Sequence, residues 1–483
     1  MALDTIPKQE GGKLKAVASG TLPSGQPVVV NADGTVSVVT GTSASQSVGT
    51  ETKFQNNNIT YLASGFDSNS NKVVLAYGNG NNSYYGTAVV GAVSGNSISF
   101  GTPVVYESVF APHNSVSFDS ANNKVIISYQ GSSSYGTSVV GTVSGTSISF
   151  GSPVVFNSTT TGEIGSSFDP DEGRVVLAYQ DGNSGPGKAI VGTVSGTSIS
   201  FGSEVQFDSN DTYSHSLTYD TTNNKMVLSY QDNGNTYGTS VVGTVSGTSI
   251  SFGSATVFSA SATYKVASCF DASQSKVVIF YRDGGDSNKG KAIVGSVSGT
   301  GISFGSAVVF ASGGINNYLG ASFDANANKA TVVYADSGNS NHGTLISGEV
   351  YGTSITFGSE TVFHSNTTTY MSSVYDSSAN KVAISYIHDV SPNQYGASLV
   401  LQNAYVDTTL TSENYIGIST GGAVADGGNA TVGIIGSVSD EQTGLTAGQQ
   451  YYVQTDGTLS ETPADPSVLA GTAISATKML VKT

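Results

Sequence analysis

Seven aspartates recur along the chain in one frame, each followed by a basic residue five positions on and a tyrosine ten positions on. The copies are Asp67/Lys72/Tyr77, Asp119/Lys124/Tyr129, Asp169/Arg174/Tyr179, Asp220/Lys225/Tyr230, Asp271/Lys276/Tyr281, Asp324/Lys329/Tyr334 and Asp376/Lys381/Tyr386. Carboxylates in such number invite an acid–base or metal reading. Repetition argues against it, because seven equivalent copies do not make one active site. An Asp that opens a tight turn accepts backbone N–H bonds, and that role accounts for one in every copy. The Asp two residues after the frame Tyr (Asp181, Asp232, Asp283, Asp336) lacks the oxygen-ligand spacing of a calcium loop. No metal or other cofactor is expected.

A second set of candidates lies between the frames. Tyr84, Tyr85, Tyr135, Tyr237, Tyr395, His113, His215, His342 and His388 sit among Asn and Asp in segments that differ from copy to copy. Aromatic faces beside amides and carboxylates suit sugar rings, which offer apolar C–H faces and hydroxyls together. Turn formation and loop packing would use the same residues without a ligand, and drift of surface loops would vary them equally. The sequence therefore marks a candidate ligand-binding face and no catalytic set.

These residues must be positioned by a repeat. Successive frame aspartates lie 50 to 53 residues apart, a period that signals a repeat architecture. From Ser117 one copy reads SFDSANNKVIISYQGSSSYGTSVVGTVSGTSISFGSPVVF. Alternation and turn chemistry predict strands ending at Phe118-Asp119, over Lys124 to Tyr129, over Thr137 to Val143, and from Ile148 to Phe156. Four antiparallel strands per copy make a propeller blade. The expected fold class is all-β, a seven-bladed β-propeller. The fourth-strand marker ends at Gly101, Gly151, Gly202, Gly253, Gly305 and Gly358, six copies for seven frames. The segment Gly41 to Phe54 resembles the missing element with two extra residues. An N-terminal strand is thus expected to complete the last blade and close the ring, removing exposed edges. The variable connections then share one face of the disc, the arrangement of a binding surface on a rigid scaffold.

Composition limits the partners. The chain has 18 basic and 34 acidic residues, net charge −16, and only two arginines, Arg174 and Arg282. Phosphate recognition relies on clustered Lys and Arg, so neither nucleic acid nor an anionic membrane surface is expected. Sialidase-type propellers, similar in gross shape, use three arginines around a carboxylate and Trp-bearing repeats, whereas this chain has no Trp. It holds no Gly-x-Ser-x-Gly elbow with a partner His and no His-Glu-x-x-His. A pair of loop carboxylates placed for glycoside hydrolysis stays open, but the chain is read as a non-enzyme. The single Cys269 excludes an internal disulfide and is read as a packed residue. No signal peptide is visible at the start, and no run reaches the roughly 20 apolar residues of a membrane span.

The sequence divides into residues 1–40, a propeller at 41–408, and residues 409–483. The ends share a signature. Leu22 to Ser37 and Leu445 to Ser460 are identical at eight of sixteen positions, and each reads as strand, Asp-Gly turn, strand. One small β domain built from both termini is expected, carrying the propeller as an insertion. The runs Glu413-Asn-Tyr-Ile-Gly-Ile-Ser, Gly444 to Thr462 and Val468 to Lys482 resemble a β module of tailed-bacteriophage structural proteins. It occurs in tail fibres and in head fibres or decoration proteins, particularly of marine and cyanobacterial phages. Lys15 to Gly25 is similar to the opening half of such modules. The resemblance implies a non-enzymatic virion protein assembled in the host cytoplasm. Its terminal domain would anchor to other capsid or tail proteins as a homo-oligomer, and its propeller would face host-surface glycans or receptors. The competing readings are a secreted or cell-surface lectin-like propeller and a propeller glycosidase.

Overall fold

The computed structural model describes residues 9–10, 12–464 and 466–482. Regular structure among them is β apart from single-turn 3-10 helices. The chain divides into two compact units, one spanning Gln46–Asn403 and the other made of the residues up to Ser45 together with those from Ala404 onward.

In the larger unit each frame lies on three antiparallel strands in sequence order. In the second repeat these are Ser115–Asp119, Lys124–Gln130 and Tyr135–Ser144, with Asp119 opposite Lys124 and Val125 opposite Gly141. The predicted fourth strand is two pieces. Ser147–Phe150 pairs with one half of Tyr135–Ser144, and Val154–Asp169 begins opposite the other half. The break falls at Gly151-Ser-Pro153. A Cβ on Gly151 would lie 1.9 Å from the Thr197 carbonyl oxygen of the next repeat, and Pro153 has no N–H to give to a ladder. The second piece does not stop at Phe156 but continues as the first strand of the third repeat.

The frame residues hold each repeat to itself and to its neighbour. Every frame Asp is at most 3% exposed. Its Oδ1 accepts from the backbone N–H groups two and three residues ahead, at 2.9–3.1 Å in all seven copies. The frame Tyr rings are buried, and each packs on an aromatic ring from the outer strand of the preceding repeat, with centroids 5.0–5.3 Å apart. Asp119→Ala would leave the N–H groups of Ala121 and Asn122 and the Asn122 amide without their acceptor. These donors sit on exposed turn residues, so each lost bond costs its net worth of about 0.5–1.5 kcal/mol; a total loss of about 2–5 kcal/mol is expected in urea unfolding, and Asp119→Asn, which keeps an acceptor oxygen, should lose less.

The seventh repeat has three strands of its own, Thr361–Asp376, Lys381–His388 and Tyr395–Gln402. Its outer edge is filled from the N-terminal side by Ser47–Val48, opposite Leu401 and Gln402, and by Thr52–Gln55, opposite Ser398 to Gly396. Phe54 then packs on Tyr77 and Phe100 of the first repeat at 5.3 and 5.4 Å. Phe156 makes the same pair of contacts with Tyr179 and Phe201. The first strand of each repeat lies beside that of the next, and that of the seventh lies beside that of the first, with Ser372 Oγ 2.7 Å from Ser64 Oγ.

The edge-filling strand starts at Ser47, not at Gly41 as expected. Gly41–Ala44 instead pairs with Tyr405–Thr408 in a two-stranded ribbon of the smaller unit. The unit boundaries consequently fall at 45/46 and 403/404, five residues inside those drawn from sequence at 40/41 and 408/409.

The smaller unit contains two further sheets. One joins Gln9–Glu10, Lys13–Val17, Pro27–Val30 and Val36–Val38 to Tyr415–Thr420 and Asn429–Gly433. The other joins Val438–Ser439, Gln450–Val453, Leu459–Ser460, Val468–Ser475 and Lys478–Val481. They repeat one pattern. Pro27, Val28 and Val29 face Ile418, Gly417 and Tyr415, while Gln450, Tyr451 and Tyr452 face Thr472, Gly471 and Leu469, with the irregularity at the same step. The turns match as well, since Asp33 accepts from Thr35 N at 3.0 Å and Asp456 from Thr458 N at 2.9 Å. The difference is one connection. After Leu459–Ser460 the chain reaches Val468 through residues 461–467, whereas after Val36–Val38 it passes through the whole larger unit before Tyr415.

Candidate binding site

About six residues before the frame Asp, the first strand loses register with the second in six of the seven repeats, and in the second repeat it begins only at Ser115. Thr60 faces Gly78 but Ala63 faces Ala76, and equivalent shifts occur at Gly162/Gly165, Tyr213/Ser216, Tyr264/Val266, Ile315/Leu319 and Thr369/Ser372. A bulge re-aims the side chain it carries. Tyr61, His113, Glu163, Ser214, Lys265, Tyr318 and Tyr370 occupy this position, one per repeat, and all line a single cavity of about 380 Å³. Six of them have left-handed backbones: Tyr61 (φ 49°), His113 (57°), Glu163 (48°), Ser214 (56°), Lys265 (46°) and Tyr370 (44°).

Left-handed backbone costs a residue with a Cβ about 1–2 kcal/mol and costs glycine almost nothing. The chain has 60 glycines and places none here. Side chains are therefore kept at these positions against a local penalty, and strain of this kind collects at binding sites.

The ring of side chains is divided chemically. Tyr318, Tyr370 and Tyr61, from repeats six, seven and one, make an aromatic arc with centroids 4.3 and 5.3 Å apart. His113 follows, its ring 5.0 Å from Tyr61. The remainder is polar. Glu163 Oε2 accepts from the Ser214 backbone N–H at 2.8 Å, and His113 Nδ1 accepts from the Glu163 N–H at 3.2 Å. An accepting Nδ1 leaves the neutral imidazole with its proton on Nε2. Behind Ser214, His215 Nε2 lies 2.9 Å from Thr212 Oγ1. Lys265 makes no hydrogen bond or ion pair among the described residues.

Burial works to raise the Glu163 carboxyl, but Lys265, His113 and the Ser214 N–H outweigh it and hold the group below the usual carboxylate range. Burial pushes His113 down despite Glu163, and it pushes His215 to about 4. Burial raises the phenols of Tyr61 and Tyr370. A histidine neutral in the fold and protonated in the unfolded chain withdraws stability in acid. Because the folded value lies below the unfolded 6.5, the contribution is complete above that pH and is lost as pH falls toward 4. Glu163, lowered from 4.5, acts in the more acidic window below its own unfolded value. Thermal midpoints followed by circular dichroism should therefore be flat near neutrality and fall below pH 6.5, and His215→Gln should make the 6.5-to-4 limb shallower, the remainder belonging to His113, His364 and His388.

Of the residues singled out from sequence, His113 and His215 line this cavity. The others do not converge. Tyr85, Tyr135, Tyr237, His342 and Tyr395 are each the first residue of a third strand, one per repeat and half-buried. Tyr84 precedes Tyr85 in a left-handed turn (φ 59°), its ring 6.0 Å from Phe110 and its hydroxyl accepting from Asn58 Nδ2 at 3.2 Å. Tyr395 stacks on His388 at 4.4 Å with the Lys53 ammonium 3.6 Å from its ring centre, and His388 Nδ1 lies 2.8 Å from His364 Nε2. The frame aspartates lie at the other end of the first strands from the cavity residues. Sequence reading does not single out Tyr61, Glu163, Ser214, Lys265, Tyr318 or Tyr370. Their signal is a fixed offset before the frame Asp at which residue chemistry changes while the frame does not.

The chain matches no family model and no curated protein sequence. Among solved structures it is similar to the BP39L lectin from Burkholderia pseudomallei, with 11% identity, TM-score 0.52, and coverage of 79% of this chain and 99% of that one. It is also similar to a lectin of Aleuria aurantia in complex with Fucα1-6GlcNAc (13% identity, TM-score 0.43, 64% of this chain and 96% of that one). NanB with Optactamide is another neighbour, at 12% identity and TM-score 0.44 over 73% of this chain and 70% of that one. Only the first of these bears on the fold, and what it shows is an all-β, propeller-like architecture shared with a lectin.

Proposed function

We propose that the chain is a non-enzymatic carbohydrate-binding protein whose larger unit is a closed seven-bladed β-propeller. Closure is supported by Phe54, which makes at the last junction the ring contacts that Phe156 makes within the chain, and by the Ser64–Ser372 contact between first and seventh strands. The observation that carries the binding role is the set of side chains held left-handed around one cavity, half aromatic and half polar. Aromatic rings take the apolar faces of sugars, and a few convergent polar groups orient them. The likeness to a lectin is in keeping with this reading. Glu163 is the one carboxylate lining the cavity among the described residues, whereas glycoside hydrolysis ordinarily takes a pair. The third-strand tyrosines stand at the same end of the repeats, since Tyr85 and Ile59 both face Asn79, and would meet the outer residues of a longer glycan. A glycan array probed with the full chain tests the proposal: a defined set of bound glycans is expected, and binding to none would leave only a structural role.

A second reading is supported by the smaller unit. Its duplicated β module, with the larger unit inserted in one connection, suits an anchor that displays a binding head, and its sequence resembles phage structural modules. Antibody against residues 55–405 should then label capsid or tail of purified particles, and unlabelled particles would remove the virion reading while leaving the carbohydrate one.

A further inference from the structure

We propose that the cavity takes an acidic sugar, a pyranose ring bearing a carboxylate at the end of a glycan, with the ring on the Tyr318–Tyr370–Tyr61 arc and the carboxylate on Lys265. This rests on the carbohydrate reading above and names the chemistry of the same site.

The order of residues around the cavity carries the argument. Lys265 stands next to Tyr318 at one edge of the aromatic arc, and His113 stands next to Tyr61 at the other. Both edges present hydrogen-bond donors, because His113 keeps its proton on Nε2 when Nδ1 accepts from Glu163 N–H. A sugar ring lying on the arc thus meets a cation on one side and a neutral donor on the other. Ser214, the smallest of the seven, separates Lys265 from Glu163 and leaves room between them.

The two charged residues differ in how they are satisfied. Glu163 has a short hydrogen bond, since one oxygen accepts from Ser214 N–H at 2.8 Å. Lys265 is half-buried and has neither hydrogen bond nor ion pair among the described residues. Lys265 feels the charge of Glu163 but has no carboxylate in contact, and an incoming carboxylate supplies that with a charge-assisted bond. A neutral sugar would not. Bulk charge offers no alternative explanation for anion binding, because a chain of net charge −16 repels polyanions. Acidic-sugar binding here must come from the cavity.

Titration calorimetry on the full chain tests this with a matched pair of probes, an oligosaccharide ending in glucuronic acid and the same oligosaccharide ending in glucose. The acid form is expected to bind at least about tenfold tighter, the size of one charge-assisted hydrogen bond. Lys265→Met should bring the two within about twofold by weakening only the acid. Tyr370→Ala should weaken both, and Tyr370→Phe, which keeps the ring, should restore both. Unchanged thermal midpoints establish that the variants are folded. Equal or tighter binding of the glucose form, or an acid preference that survives Lys265→Met, overturns the inference and leaves carbohydrate binding standing. Failure of both probes when other glycans bind overturns it too. Failure of every glycan overturns the carbohydrate reading itself.

Discussion

Phe54→Ala is expected to destabilise the larger unit by about 3–5 kcal/mol, the range for emptying a buried aromatic site. Phe54 is 7% exposed and lies between Tyr77 and Phe100. Its ring fits only because residue 396 is glycine, where a Cβ would stand 2.6 Å from ring carbons. Energetically it matches Phe156, which fills the same place beside Tyr179. Topologically it differs. Phe156 lies on a strand continuous with the repeat it joins, while Phe54 belongs to a segment that meets its partner strand across almost the whole unit, Lys53 facing Ala397. If the short strand Thr52–Gln55 detaches, Tyr395–Gln402 becomes an open edge with unpaired N–H and C=O groups, a template for association. Phe54→Ala and the control Phe156→Ala should lose similar free energy in urea, followed by tyrosine fluorescence because the chain has 25 Tyr and no Trp. Only Phe54→Ala should also show early cleavage near residue 50 by a dilute protease and concentration-dependent aggregation. Equal behaviour of the two variants in both assays would mean that the N-terminal strand is no weaker a junction than the covalent ones.

The parts of this protein legible in its sequence are those in which one residue type has one local job. A frame Asp binds two N–H groups of its own turn, so its spacing to the next strand is fixed and recurs as printed letters. The all-β class follows from the same regularity. Places where composition is shared between different pairings were not legible. Gly41-Thr-Ser-Ala has the letters of an outer blade strand, yet it pairs with Tyr405–Thr408 in the smaller unit. The outer strand reads as one run from Ile148 to Phe156, and only the approach of Thr197 to Gly151 shows why it must break. The cavity was hidden for a different reason. Loops that vary in length draw attention to Tyr84, Tyr135 and Tyr395, but these are separated by the strand ends that carry them. The residues that converge sit six positions before the constant frame, where a bulge turns a single position toward the cavity, and periodicity alone does not distinguish a bulged residue from its pleated neighbours.

Replacing residues 45–404 by an Asn-Gly turn is expected to leave a folded protein. The two chain crossings between the units are already an antiparallel ribbon in register, Ala44 facing Tyr405 and Gly41 facing Thr408. A two-residue Asn-Gly loop is the connection that such a register favours. Nothing in the module's interior is lost by the replacement. One core holds Leu22, Val28, Val36, Ala430 and Val432, and the other holds Val29, Val39, Leu410, Tyr415, Leu445 and Met479. All lie outside the excised span. The C-terminal copy also shows that the pattern closes with a short connection, residues 461–467, in place of a domain. The excised chain, roughly 120 residues, is long enough to bury a core of its own. Dispersed amide resonances and one cooperative thermal transition would meet the expectation. A collapsed or aggregating product would show instead that the larger unit is required to hold the module together. A folded product separates the two roles physically: glycan binding should remain with residues 46–403 alone, and any attachment to particles should remain with the excised chain. An excised chain that bound sugars, or an isolated larger unit that joined particles, would reverse that division of labour.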